Sequence, residues 1–210
     1  MLRFGCMEDF KEKIVLICRQ LYERRLNCGY AGNVSLKAGD RVFITPASAP
    51  KHRLAFEEIL ETDLKGNVLF PGKPSSEARM HFAIYEKRPD VKAIIHAHPP
   101  FLSIVAVTAL NLKPVLPEME IVLKGIAFVP YRRPGTQALA DAVAESLGEG
   151  KLAVLLNHGA LACGESLEEA FDFLEMGESL AHTLVFSNLL GRFNILTAEE
   201  VVFFRGKASH

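Results

Sequence analysis

Two histidines two positions apart, His96 and His98, stand in the short apolar run Ala93-Ile94-Ile95-His96-Ala97-His98. The run is partly β-branched and reads as a buried strand. Alternate residues of a strand share a face, so both imidazoles point to one side, as two ligands of one metal ion must. A third histidine, His158, closes a second strand-like run, Leu152-Ala153-Val154-Leu155-Leu156-Asn157-His158, and Gly159 follows it. Three neutral imidazoles leave one position of a tetrahedral ion open, which is the pattern of catalytic rather than structural zinc. The competing account of the pair is two hydrogen-bonded core histidines.

Three further segments are rich in donors. Pro74-Ser75-Ser76-Glu77 joins two hydroxyls to the free N–H groups of a helix's first turn, which is an anion site, with Glu77 beside it and shortly before the histidine strand. Taken alone, it reads as an ordinary N-cap with a dipole-favoured glutamate. Gly32-Asn33-Val34-Ser35 combines a glycine, which allows close backbone approach, with an asparagine able to donate to a phosphate oxygen. Thr45-Pro46-Ala47-Ser48 offers hydroxyls and backbone donors after a strand. Either could be a plain turn.

The elements that must position these groups follow from periodicity. Phe10, Ile14, Ile17 and Leu21 recur at helical spacing, so an amphipathic helix is expected over residues 8–26. Strands are expected at 33–37, 41–45 and 59–64, with another at 67–70. A helix should open at Ser75-Ser76-Glu77 and run to about Lys87. Pro99 and Pro100 end the histidine strand and begin a helix through Leu110. A strand near 126–130, a helix over 136–147 and strands 152–158 and 160–163 come next. Ser166 and Glu169 form a capping box for a long helix to about Leu190. Helices and strands interleave, yet the early strands are close enough to pair antiparallel. One largely antiparallel sheet with helices on its faces is the expected architecture.

The order GNVS, ITPAS, PSSE, HAH, NHG resembles the class II aldolase/adducin family along nearly the whole chain, and within it the L-fuculose-1-phosphate aldolases. The resemblance implies an α/β/α fold, residues 1–210 as one domain, and a cytoplasmic homotetramer with active sites between subunits. It implies zinc on His96, His98 and His158, with Glu77 as catalytic acid/base and occasional metal ligand. Gly32, Asn33, Ala47, Ser48, Ser75 and Ser76 match the family's phosphate-binding segments. The substrate class implied is a deoxy-ketose 1-phosphate, cleaved to dihydroxyacetone phosphate and a small aldehyde. A 5-deoxyribulose-1-phosphate aldolase, a methylthioribulose-1-phosphate dehydratase, a ribulose-phosphate 4-epimerase and a non-catalytic adducin-like module are the alternatives. The epimerases usually carry aspartate where this chain has Glu77.

Two departures from the family pattern stand out. Many relatives have glycine where this chain has Ser48, whose Cβ resists positive φ, so an altered loop geometry is expected. Glu118 stands where fuculose-phosphate aldolases carry a tyrosine, and the tail 203–210 lacks a second one. A looser choice of aldehyde follows from these losses. His81 reads as a helix residue four positions after Glu77, and Lys51 and Arg53 as a solvated loop. Arg132 and Arg133 are candidates for reaching a neighbouring subunit.

Composition narrows the partners. The chain has 210 residues, 49% of them hydrophobic, and a formal net charge of -1. That balance suits a soluble globular protein and gives no electrostatic reason to bind nucleic acid or a membrane. The longest apolar stretches are too short to span a bilayer, and the N-terminus shows no signal-peptide pattern. The four cysteines form no C-x-x-C pair, so a reducing cytoplasm is expected.

Overall fold

The computed structural model describes residues 4–117 and 125–207. Glu118, and His210 at the end of the tail, lie outside the described residues. Seven strands form one sheet: β1 (Asn33–Ala38), β2 (Arg41–Ile44), β3 (Leu60–Asp63), β4 (Ala93–Ala97), β5 (Ile126–Val129), β6 (Leu152–Leu155) and β7 (Gly159–Gly164). Their spatial order is β3-β2-β1-β4-β7-β6-β5. Every pairing is antiparallel except β5 with β6. Helices α1 (Phe4–Glu23), α2 (Ala78–Lys87), α3 (Pro100–Thr108), α4 (Gln137–Leu147), α5 (Leu167–Leu190) and α6 (Ala198–Lys207) complete the described elements.

Strand alternation sorts the core into two layers. Val34, Leu36, Ile95, Ala97, Val154 and Ala162 face α1, α3 and α5, where Ile14, Leu21, Leu102 and Leu174 meet them. Val42, Ile94, Ala153, Leu161 and Cys163 face α2 and α4, against Met80, Ile84, Leu139 and Val143. Each fully buried Leu or Ile in these layers contributes about 1.5–3 kcal/mol. The expected three-layer α/β/α arrangement is therefore the observed one.

Several boundaries move. Strand β6 ends at Leu155, and Leu156-Asn157-His158 forms the turn into β7. His158 thus sits in a hairpin turn and not on a strand. Asn157 takes φ 57, a left-handed conformation that asparagine tolerates better than most residues. Helix α2 begins at Ala78, because Ser75 Oγ accepts the Glu77 N–H in a preceding turn. Residues 67–70 give only a bridge from Val68 to Thr62 and not a strand. Helix α6 was not foreseen, although Thr197 Oγ1 and Glu200 Oε2 cap its start reciprocally.

Candidate active site

The chemistry-bearing residues gather at one end of the central strands, on the α2 face of the sheet. β1 and β4 are paired so that Asn33 lies opposite His96. Asn33, Ser35, Ile94 and His96 share the face turned to α2, by the alternation that sends Val34 and Ile95 the other way. The β6–β7 turn brings His158 to the same point, and Glu77 arrives from the start of α2.

His96, His98 and His158 each present a ring nitrogen, all within 4.8 Å of one another. His96 is fully buried, and its Nδ1 lies 2.8 Å from the Ala160 carbonyl oxygen. Nδ1–H therefore donates there, which fixes the tautomer and leaves the Nε2 lone pair facing the cluster. Nε2 of His98 is 3.3 Å from Nε2 of His96. Nitrogens on a tetrahedral zinc at 2.0–2.1 Å stand about 3.3 Å apart, so this spacing suits two ligands of one ion. Glu77 Oε1 is 3.0 Å from His158 Nε2, and Oε2 is 3.2 Å from His96 Nε2. Glu77 Oε1 is also buried without an aligned donor. Lone pairs crowded around one point are the donor set a divalent cation fits.

The electrostatics agree with that fit. Burial opposes the charge on Glu77, but the adjacent His158 and His96 imidazoles outweigh it and hold the carboxyl below the usual carboxylate range. Burial, reinforced by His96 and His158, pushes His98 down to about 4. At neutral pH the cluster thus offers a carboxylate and a neutral His98, both competent for a metal.

Two glycines make room for this packing. A Cβ on Gly32, where φ is 70, would overlap the His96 carbonyl oxygen and Asn27 Nδ2. A Cβ on Gly159 would come 2.7 Å from the His98 ring and from the Ala97 carbonyl oxygen. Behind His98, the carboxylate of Glu178 in α5 accepts the N–H groups of Phe101 and Leu102, both at 2.8 Å. It caps α3 and anchors the segment that follows the histidine strand.

The donor-rich segments are joined by hydrogen bonds. Thr45 Oγ1 accepts the Val34 N–H at 3.2 Å, and the Thr45 carbonyl accepts the Ser75 N–H at 3.3 Å. The Ala47 N–H donates to Lys73, and Asn33 Nδ2 reaches Glu77 Oε2 at 3.4 Å. Residues 32–35, 45–48 and 73–77 thus form one surface beside the histidines. Ser48 does adopt positive φ, at 54, so the loop keeps a left-handed residue without glycine. Its Cβ does not forbid that geometry; it adds strain to it. Such strain costs about 1–2 kcal/mol, and glycine's larger unfolded-state entropy returns part of it. Ser48→Gly is expected to raise stability by about 0.5–1 kcal/mol, measured as a shifted urea midpoint at constant slope.

His81 is not an ordinary helix residue. It is fully buried, with Nδ1 2.6 Å from Ser35 Oγ, which also lies 2.7 Å from the Tyr85 hydroxyl. This chain stiffens the α2 contact behind Glu77. Burial, and secondarily His96, pushes His81 down to about 3. A histidine kept neutral in the fold binds its proton only when unfolded. Its contribution is complete above about pH 6.5 and is lost as pH falls from there towards 3. Each such histidine adds up to about 1.4 kcal/mol per pH unit. Urea titrations of metal-free protein should show stability falling from pH 6.5 to 5, with a shallower slope in His81→Gln. A flat profile would contradict the assignment. Arg132 donates to the neighbouring Tyr131 carbonyl and is exposed.

Comparison with known proteins now has a geometry to explain. The family model "Class II Aldolase and Adducin N-terminal domain" matches residues 12–185. The chain belongs to that family. An L-fuculose phosphate aldolase of Methanocaldococcus jannaschii is 37% identical over 180 residues, 86% of this chain and 97% of the relative. A 3-oxo-tetronate 4-phosphate decarboxylase of Haemophilus influenzae is 35% identical over 200 residues, 91% of this chain and 93% of the relative. A solved L-fuculose 1-phosphate aldolase superposes with a TM-score of 0.90 at 28% identity, covering 96% of this chain and 97% of the other. The class II aldolase family is metal-dependent, and the three histidines supply a group able to hold an ion. Among the described residues no helix is long and apolar enough to cross a membrane.

Proposed function

We propose that this chain is a zinc-dependent aldolase, cleaving a deoxy-ketose 1-phosphate to dihydroxyacetone phosphate and a small aldehyde. The observation that carries the reading is the convergence of His96, His98, His158 and Glu77 beside the donor surface of residues 32–35, 45–48 and 73–77. Relatives that act on fuculose phosphate support the substrate class.

When bound to the three histidines, zinc would act as a Lewis acid for the enediolate charge left by carbon–carbon cleavage. The chain's own residues do the rest. Glu77, ionised and held by Asn33, takes the proton from the hydroxyl that becomes the aldehyde carbonyl as the carbon–carbon bond breaks, and returns it to the enediolate carbon. Gly32, Asn33, Ala47, Ser48, Ser75 and Ser76 hold the phosphate, whose binding energy places the reacting bond. No Schiff-base lysine is required by this route. The reading treats residues 1–210 as one cytoplasmic catalytic domain that assembles as a homotetramer. Exposed apolar Leu189, Leu190 and Val202 support an assembly contact, to be checked by light scattering against four times the 23.2 kDa chain mass.

One second reading has an observation behind it. The decarboxylase relative covers more of this chain than the Methanocaldococcus aldolase does. Loss of CO2 from a 3-oxo-tetronate 4-phosphate leaves the enediolate of dihydroxyacetone phosphate, the same species that aldol cleavage leaves. One site can therefore serve either reaction, and the leaving fragment decides. The test is to incubate metal-loaded protein with fuculose, rhamnulose and 5-deoxyribulose 1-phosphates and with 3-oxo-tetronate 4-phosphate. Aldehyde release supports the aldolase; CO2 release from the acid alone replaces it with the decarboxylase.

A further inference from the structure

Lys51 is the residue the sequence placed least well. It is 5% exposed and not part of a solvated loop. Its backbone N–H donates to the Gly29 carbonyl, close before Gly32. Its ammonium donates to the carbonyl oxygens of Pro46 at 3.0 Å and Ala49 at 2.9 Å. Two carbonyls of the 45–49 loop are thus turned onto one cation. The Ser48 and Ala49 N–H groups meet no protein acceptor among the described residues. The loop is polarised, with its oxygens on the ammonium and two donors left over.

The charge has no counter-ion. Among the described residues no carboxylate lies within ion-pair distance of Lys51. The titratable group it feels is the Cys18 thiol, which burial pushes up to about 12 and so keeps neutral. Burial without an anion also pulls the pKa of Lys51 down. A buried cation held only by two carbonyls is costly, and an arriving anion would relieve that cost.

We propose that Lys51 is the positioning charge of the phosphate subsite, acting through the Pro46–Ala49 loop on a phosphomonoester dianion. The proposal rests on the phosphate reading given above. It replaces the expectation, from sequence, that Lys51 belongs to a solvated loop.

The test uses methyl phosphate as the probe, titrated calorimetrically into metal-loaded protein. Lys51→Gln keeps a donor for the loop carbonyls and removes the charge. Its binding of methyl phosphate should weaken about tenfold, as expected for one charge acting across the loop and not in direct contact with the anion. Lys51→Arg should stay within about threefold of the parent. For a phosphorylated ketose, Lys51→Gln should raise KM by a similar factor with kcat within about twofold, a split that loop collapse would not give. Lys51→Met should behave as Lys51→Gln; if it does not fold, the glutamine variant decides. Ser75→Ala with Ser76→Ala separates the two claims. Loss of methyl phosphate binding there but not in Lys51→Gln overturns the lysine and leaves the subsite. Equal losses in Lys51→Arg and Lys51→Gln overturn it as well. Unchanged binding in both the serine pair and Lys51→Gln removes the phosphate subsite itself.

Discussion

Glu77→Gln should keep its metal and its affinity for phosphate while turnover falls roughly 10²–10⁴-fold. The amide is nearly isosteric, so the contact with Asn33 and the start of α2 at Ala78 should survive. What is lost is the ability to accept a proton. Glu77 is suited to that task because His158 and His96 keep it ionised despite burial. It also lies 3.0–3.2 Å from nitrogens of the proposed metal set, close to where substrate oxygens would sit. Metal analysis alongside steady-state kinetics checks the expectation. Near-normal turnover at full occupancy would take Glu77 out of the mechanism.

The second large effect concerns the ion. His98→Ala should lower metal affinity more than about 100-fold, beyond the usual effect of removing a supporting hydrogen bond, and reduce turnover below detection. His98 is the right position because it is less buried than His96, so its loss leaves the sheet core intact. Chelation of the parent protein should give the same loss, and added zinc should restore it. Circular dichroism should show folded protein throughout, since Ile94, Ile95 and Ala97 hold β4 independently of any ligand. Full turnover after exhaustive chelation would end the metal reading. Recovery with another divalent ion alone would change its identity.

The parts of this site written in local patterns were legible. Alternation along Ala93–His98 placed His96 and His98 on one face before any coordinates, and the Ser166–Glu169 box located the start of the long helix. The donor-rich segments 32–35, 45–48 and 73–77 were legible as short strings in a fixed order, and hydrogen bonds join them in the fold. Contacts between distant segments were not. Nothing near Ser35 announces His81 and Tyr85, and a lysine in a polar loop reads as solvated. Burial of Lys51 is decided by α1 packing over it, which no window of sequence contains. The turn holding His158 was visible in principle, because Asn-His-Gly supplies a left-handed residue and a glycine. The apolar run before it pulled the strand reading too far. Thr197 and Glu200, three apart, are an equally plain local signal for the start of α6.

The pairing of Asn33 with His96 has a consequence for how such a site can diversify. One hydrogen-bonded ladder fixes Asn33, on the proposed phosphate side, and His96, on the proposed metal side, to each other. Their separation can change only if a strand slips, and the smallest slip that keeps side chains on their faces is two residues, about 7 Å. No substrate could follow such a jump by adding or losing one carbon. On the proposed reading the ladder is therefore a ruler for the stretch between phosphate and carbonyl, and ligands with a longer or shorter spacer would fit the fixed strand register poorly. The opposite end of the substrate has no such gauge on these strands. New specificities should accumulate there, in loops, while the graduated end stays unaltered.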